Sequence, residues 1–85
     1  MELEMTGRLT MYTTTWCGYC VRLKKGLERE GIEFDEVNIE TDPAAEAFVI
    51  EANNGNATVP TMRLPNGDVM TNPPLPELLA ALKQA

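Results

Sequence analysis

Arg8-Leu9-Thr10-Met11-Tyr12-Thr13-Thr14-Thr15-Trp16-Cys17-Gly18-Tyr19-Cys20-Val21-Arg22-Leu23-Lys24-Lys25-Gly26-Leu27 is the stretch whose reading decides the fold. Over residues 8–14, Leu9 and Met11 alternate with Thr10 and Tyr12, residue types that suit a pleated surface, so this segment is expected to be a strand. From Gly18 the period changes. Cys20, Leu23 and Leu27 share one helical face, while Arg22, Lys25, Glu28 and Arg29 fall elsewhere and Gly31 supplies a stop. Cys17 therefore stands where a strand turns into a helix.

Working outward, Ile32 to Ile39 is expected to be a second strand. Phe34 and Val37 have opposite parity there, which requires a bend or burial on both faces. Thr41-Asp42-Pro43 has the oxygen cap and early proline of a helix start, with Ala44, Ala47, Phe48 and Ala52 as the apolar stripe and Asn53-Asn54-Gly55 as the end. After Thr58-Val59-Pro60, the segments Thr61 to Leu64 and Val69 to Thr71 flank Pro65-Asn66-Gly67-Asp68, a strong hairpin signal. Asn72-Pro73-Pro74 breaks the pattern, and Leu75, Leu78, Leu79 and Leu82 line one face of a closing helix. The order β-α-β-α-β-β-α predicts an α/β domain: a mixed four-stranded sheet with three helices. Its first two strands are parallel through a right-handed crossover, and the hairpin is antiparallel.

Composition limits what such a domain can do. Eighty-five residues make one domain over residues 1–85, with residues 1–7 expected to fray. Thirteen acidic side chains against seven basic ones give a net charge of −6, which disfavours phosphate backbones, so no nucleic-acid partner is expected. The longest apolar run, Leu78 to Leu82, is far short of the roughly 18–20 residues that span a bilayer, so no membrane partner is expected either. Met1-Glu2-Leu3-Glu4 lacks the basic flank of a secretory signal, pointing to the cytoplasm, where structural disulfides are rare. There is no histidine, which removes Ser/His/Asp and Cys/His catalysis and every imidazole metal site.

The chemistry therefore rests on Cys17-Gly18-Tyr19-Cys20, two thiols three residues apart in the first turn of a helix that follows a strand. Cys17 faces unpaired backbone N–H groups and the positive end of the helix dipole, which favour its thiolate; Cys20, on the face of Leu23 and Leu27, is expected to be more buried. Cys17 then attacks and Cys20 resolves. A thiol with pKa of about 8.5 is roughly 3% thiolate at pH 7, and a value near 6 would make it about 90%, a gain of about thirtyfold. With a Brønsted slope of about 0.45 the weaker nucleophile loses roughly thirteenfold, leaving only a two- to threefold net gain in attack. The greater benefit comes when Cys17 must leave from a mixed disulfide. As a structural disulfide the pair would close a four-residue loop, worth about 2 kcal/mol by chain entropy, a weak staple. As a zinc site it lacks two ligands.

Trp16-Cys17-Gly18-Tyr19-Cys20 after a strand, with Thr58-Val59-Pro60 before a hairpin, resembles the glutaredoxin branch of the thioredoxin fold over nearly the whole chain. Val59-Pro60 resembles that family's cis-proline dipeptide, whose preceding residue offers its backbone to a bound thiol. Glutaredoxins that use glutathione usually carry a Gly-Gly-x-Asp stretch after the hairpin; here it is Met70-Thr71-Asn72-Pro73-Pro74, without the acidic partner for an ammonium. That departure, with Thr13 to Cys20 and Asp35-Glu36-Val37, resembles mycoredoxins, glutaredoxin-like proteins that use mycothiol, an uncharged cysteinyl sugar thiol. Polar, uncharged Thr71 and Asn72 suit a sugar.

The resemblance implies a thiol-disulfide oxidoreductase that reduces mixed disulfides between proteins and mycothiol. Its catalytic residues would be Cys17 and Cys20, with a thiol-binding surface of Trp16, Gly18, Tyr19, Thr58, Val59, Pro60, Thr71 and Asn72. It implies no tightly bound cofactor and no metal, mycothiol as reducing co-substrate, mycothiolated or disulfide-containing proteins as partners, mycothiol disulfide reductase acting indirectly, and a monomer. The alternatives are a dithiol reductant of thioredoxin type, a glutathione-dependent glutaredoxin, and a dimeric module holding metal or an iron-sulfur cluster. Trp16 either contacts substrate or packs on the sheet edge, whereas Tyr19 is expected to contact substrate. Arg22, Lys24, Lys25 and Arg29 are read as a solvated face with Lys24 and Glu28 paired at i, i+4.

Overall fold

A computed structural model describes residues 8–84; the expected fraying of residues 1–7 lies outside them. The chain runs β1 (Leu9–Thr13), α1 (Gly18–Arg29), β2 (Phe34–Asn38), α2 (Pro43–Ala52), β3 (Thr61–Arg63), β4 (Val69–Thr71) and α3 (Leu75–Gln84). The sheet order is β2-β1-β3-β4. β1 pairs parallel with β2 from Leu9↔Phe34 to Thr13↔Asn38, and antiparallel with β3 through Met11↔Met62; β3 and β4 are antiparallel through Met62↔Met70. The element order, the parallel first pair and the antiparallel hairpin are those the sequence predicts; the sheet order and the β1–β3 pairing come from the structure.

Alternation along β1 sorts the core onto two faces of the sheet. Leu9 and Met11 join Met62 and Leu64 against Leu23 and Leu27 of α1 and Leu78 of α3. Tyr12 points to the other face, where it meets Ile39 and, from α2, Ala45 and Val49. This resolves the parity conflict in the second strand: Ile32 and Phe34 pack on the first cluster, Val37 and Ile39 on the second. Both faces are covered, and no bend is needed.

The helix of residues 43–52 differs from its predicted stripe. Ala45 and Val49 are its buried residues, with Phe48 packed beside them, whereas Ala44, Ala47 and Ala52 are exposed. Alanine lies on every face of this segment and gives the pattern no apolar contrast, so the bulkier Val49 sets the orientation. Lys24 likewise pairs with Glu36 on β2 at 3.1 Å, across the strand-helix layer rather than along the helix to Glu28. In the hairpin, the Gly67 N–H donates to the Leu64 carbonyl at 2.8 Å, and Gly67 has φ +96°. Pro65 and Asn66 form the turn and Gly67 takes the left-handed position after it.

α1 and α3 meet closely at one point: a Cβ on Gly26 would lie 2.7 Å from Leu75 Cδ2. Alanine there is tolerated by a small shift of the leucine tip, but a β-branched side chain is not. Gly26→Val is expected to destabilise the protein by about 1–3 kcal/mol, the cost of overpacking, read as a lower urea midpoint at unchanged slope. A midpoint unchanged from the parent would contradict this packing.

Candidate active site

Cys17 follows β1 by four residues and has extended backbone angles, φ −86° and ψ 105°, as the N-cap of α1. A cap normally offers an oxygen to the free amides of the first turn; here the sulfur takes that place, and the Cys20 N–H donates to Cys17 Sγ at 3.1 Å. The sulfurs of Cys17 and Cys20 are bonded, with their Cα atoms 5.3 Å apart. Cys17 is 8% exposed and Cys20 3%, so the first cysteine is the more accessible residue of the pair.

Two hydrogen bonds tie this turn to the other predicted site segments. The Tyr19 hydroxyl donates to the Pro73 carbonyl at 2.9 Å, joining the start of α1 to the turn after β4. The Asn72 N–H donates to the Pro60 carbonyl at 2.8 Å, joining that turn to the loop before β3. The Val59-Pro60 bond is cis, as the resemblance implies. Residues 16–20, 58–60 and 71–73 are therefore neighbours, although more than 50 positions separate Tyr19 from Pro73.

The individual residues differ in how free they are to meet a ligand. Gly18 is exposed with nothing within 4 Å of an added Cβ. Thr58 and Val59 are half-buried and Pro60 is buried; the Thr58 carbonyl accepts from the Thr61 hydroxyl at 2.8 Å. The Thr71 hydroxyl donates to Asn53 Oδ1, leaving it only acceptor capacity for a ligand. Asn72 is exposed in the left-handed region at φ 51°, and among the described residues its carboxamide makes no hydrogen bond. Tyr19 is half-buried, its hydroxyl committed to Pro73 and its ring 5.4 Å from the Arg22 guanidinium. Trp16 is 73% exposed, so it does not pack on the sheet edge.

One residue of this neighbourhood was not singled out from the sequence. Glu40 accepts at Oε1 from the Thr15 N–H (3.2 Å) and hydroxyl (3.0 Å), and at Oε2 from the Trp16 indole N–H (3.0 Å). Among thirteen acids it carries no motif. Its only signal is register: Thr13↔Asn38 puts residues 15 and 40 at the same end of two parallel strands. The Thr15 backbone N–H and then the Thr15 hydroxyl hold its carboxyl below the ordinary value of 4.5, against an opposing effect of desolvation and with a lesser contribution from the Trp16 indole.

The glutaredoxin family model matches residues 9–70. A putative glutaredoxin of Mycobacterium tuberculosis is 50% identical over 78 residues, covering 92% of this chain and 93% of that protein. Mycoredoxin 1 of Corynebacterium glutamicum is 40% identical over 75 residues, covering 88% and 92%. Among solved structures, the glutaredoxin from Methanosarcina mazei superposes with a TM-score of 0.74 at 22% identity, over 91% of this chain and 79% of that one. A thioredoxin-like protein gives 0.76 at 21%, over 88% and 99%. These two share the fold.

Because its lowered value places Glu40 as a carboxylate in the folded protein, the contacts it makes are complete above the ordinary glutamate value and are lost as pH falls through the lower folded one. With the Cys17-Cys20 disulfide intact, Trp16 emission is expected to stay constant from neutrality down to pH 4.5 and to change only below it. A transition centred above that value would contradict the contacts.

Proposed function

The chain belongs to the glutaredoxin family and is a thiol-disulfide oxidoreductase, and from that premise we propose that it reduces mixed disulfides between proteins and mycothiol. The observation that carries this choice of thiol is the turn after β4. Thr71 and Asn72 present uncharged polar groups there, in a protein of net charge −6. A cysteinyl sugar can exchange hydrogen bonds with a free carboxamide and a hydroxyl acceptor, whereas the ammonium and two carboxylates of glutathione would lack the acidic partner and meet an unfavourable overall field. The 40% identity to a protein named mycoredoxin supports the same reading.

The reaction uses Cys17 first. Its thiolate attacks the mycothiol sulfur of the mixed disulfide; the bond between the two sulfurs breaks, and the protein thiolate leaves and takes a proton. Cys17 now carries mycothiol. A second mycothiol thiolate attacks that mycothiol sulfur, forming mycothiol disulfide and releasing the Cys17 thiolate, which the first turn of α1 stabilises as a leaving group. Mycothiol disulfide reductase restores the pool. In the side route, Cys20 attacks Cys17, expels mycothiol and leaves the Cys17-Cys20 disulfide, the oxidised form seen in the structure. The geometry suits unequal roles: Cys20 is nearly inaccessible and one helical turn away. Both thiols belong to one chain, which acts as a monomer in the cytoplasm. Among the described residues no helix is long and apolar enough to cross a membrane.

The test is reduction of a mycothiolated protein, with mycothiol, glutathione or thioredoxin reductase as the electron source. Mycothiol is expected to support turnover best. Cys17→Ser abolishes it while leaving α1 folded, since serine is a favoured N-cap, and Cys20→Ser keeps much of the activity. Equal loss in both variants would overturn the monothiol route. Turnover with thioredoxin reductase but not with mycothiol would assign the chain to the thioredoxin-type alternative.

A further inference from the structure

An indole that is 73% exposed and one residue from the nucleophile has no packing to hold it. Left alone, it would rotate among rotamers, and any substrate docking on it would first have to order it. Here its N–H is tethered to Glu40 Oε2 at 3.0 Å. Glu40 is itself fixed at both ends: its backbone N–H donates to Asn38 Oδ1 at 2.8 Å, and its other carboxylate oxygen takes two donors from Thr15. Three donors converge on one side chain, and an ionised carboxylate meets them as an acceptor on both oxygens with no proton of its own. Glutamine has one oxygen, which the two Thr15 donors take, so its amide N–H is turned toward the indole, which loses its acceptor.

We propose that Glu40 is a positioning residue for the exchange reaction, holding the Trp16 indole as a fixed platform beside Cys17 on which the disulfide substrate docks. This rests on exchange at Cys17, not on mycothiol being the thiol. Glu40 acts by geometry rather than by charge, because its carboxylate is exposed and its field on Cys17 is screened by solvent. Removing the tether therefore weakens substrate binding and leaves the chemical step and the Cys17 titration in place.

Trp16 is the one tryptophan of the chain, so its fluorescence anisotropy reads the tether directly. In Glu40→Gln the indole is expected to gain a fast local motion that is absent from the parent. KM for a mixed-disulfide peptide rises about two- to tenfold, the effect of one lost hydrogen bond, with kcat within about twofold. In a Trp16→Phe background, which has no indole N–H, Glu40→Gln changes KM by less than about twofold. Thr15→Val loosens the same loop but spares the indole bond, and keeps the anisotropy of the parent. Unchanged anisotropy in Glu40→Gln, an equal KM effect with and without the indole, or a shifted Cys17 titration would overturn the proposal. The fluorescence arm needs no substrate, so failure of the tether is told apart from failure of the mycothiol reading, while the KM arm, run with whichever mixed disulfide is reduced, tests the docking.

Discussion

The contact between the Cys20 N–H and Cys17 Sγ is the constraint on which the rest of the molecule depends. A helix must leave its first amides without intrahelical partners, and folding usually satisfies them with a cap oxygen or water. This chain presents a sulfur instead. The strand before Cys17 is locked between two neighbours in the sheet, and the helix after it is anchored by Leu23 and Leu27 in the core. The sulfur is thereby held at the helix end by burial elsewhere, and a domain without histidine can stabilise a thiolate with backbone alone.

The same economy explains how distant segments become one site. Each of the three site segments contributes a backbone group: the Pro73 carbonyl to Tyr19, the Asn72 N–H to the Pro60 carbonyl, and the Cys20 N–H to Cys17. Backbone groups hold their geometry whatever the side chains nearby, so the side chains of the turn after β4 are not needed to brace the three segments. Asn53 supports that turn from the end of α2: it accepts from Thr71 and donates to Thr61 and to the Val49 carbonyl. The turn after β4 and the first turn of α1 are thus fixed by different contacts.

Much of this was legible before any coordinates. The change of period at Gly18, the proline and asparagine-glycine punctuation and the leucines of the last helix each encode one element locally. The two-sided burial of residues 32–39 was visible as conflicting parity, and the second cluster explains it. What failed was information held in no local pattern. The alanine-rich α2 has no contrasting face, so its orientation depends on what the sheet offers Val49. Lys24 finds Glu36 on the neighbouring strand rather than Glu28 on its own helix, a partner that the helical period does not encode. Glu40 emerges only once β1 and β2 are placed in register. Trp16 and Tyr19, paired around the nucleophile in sequence, differ in surroundings: one stands in solvent on a carboxylate tether, the other is half-buried and tied to Pro73.

The decisive property of the site is the state of the first sulfur once the disulfide is reduced. In Cys20→Ser, the remaining Cys17 is the one thiol of the chain, and its ultraviolet thiolate absorbance can be followed against pH without interference from a second sulfur. The helix end predicts a titration midpoint well below the value of about 8.5 for a free thiol, with Cys17 largely ionised at neutral pH. A midpoint at or above that value would mean that the first turn of α1 does not stabilise the thiolate, contradicting the account.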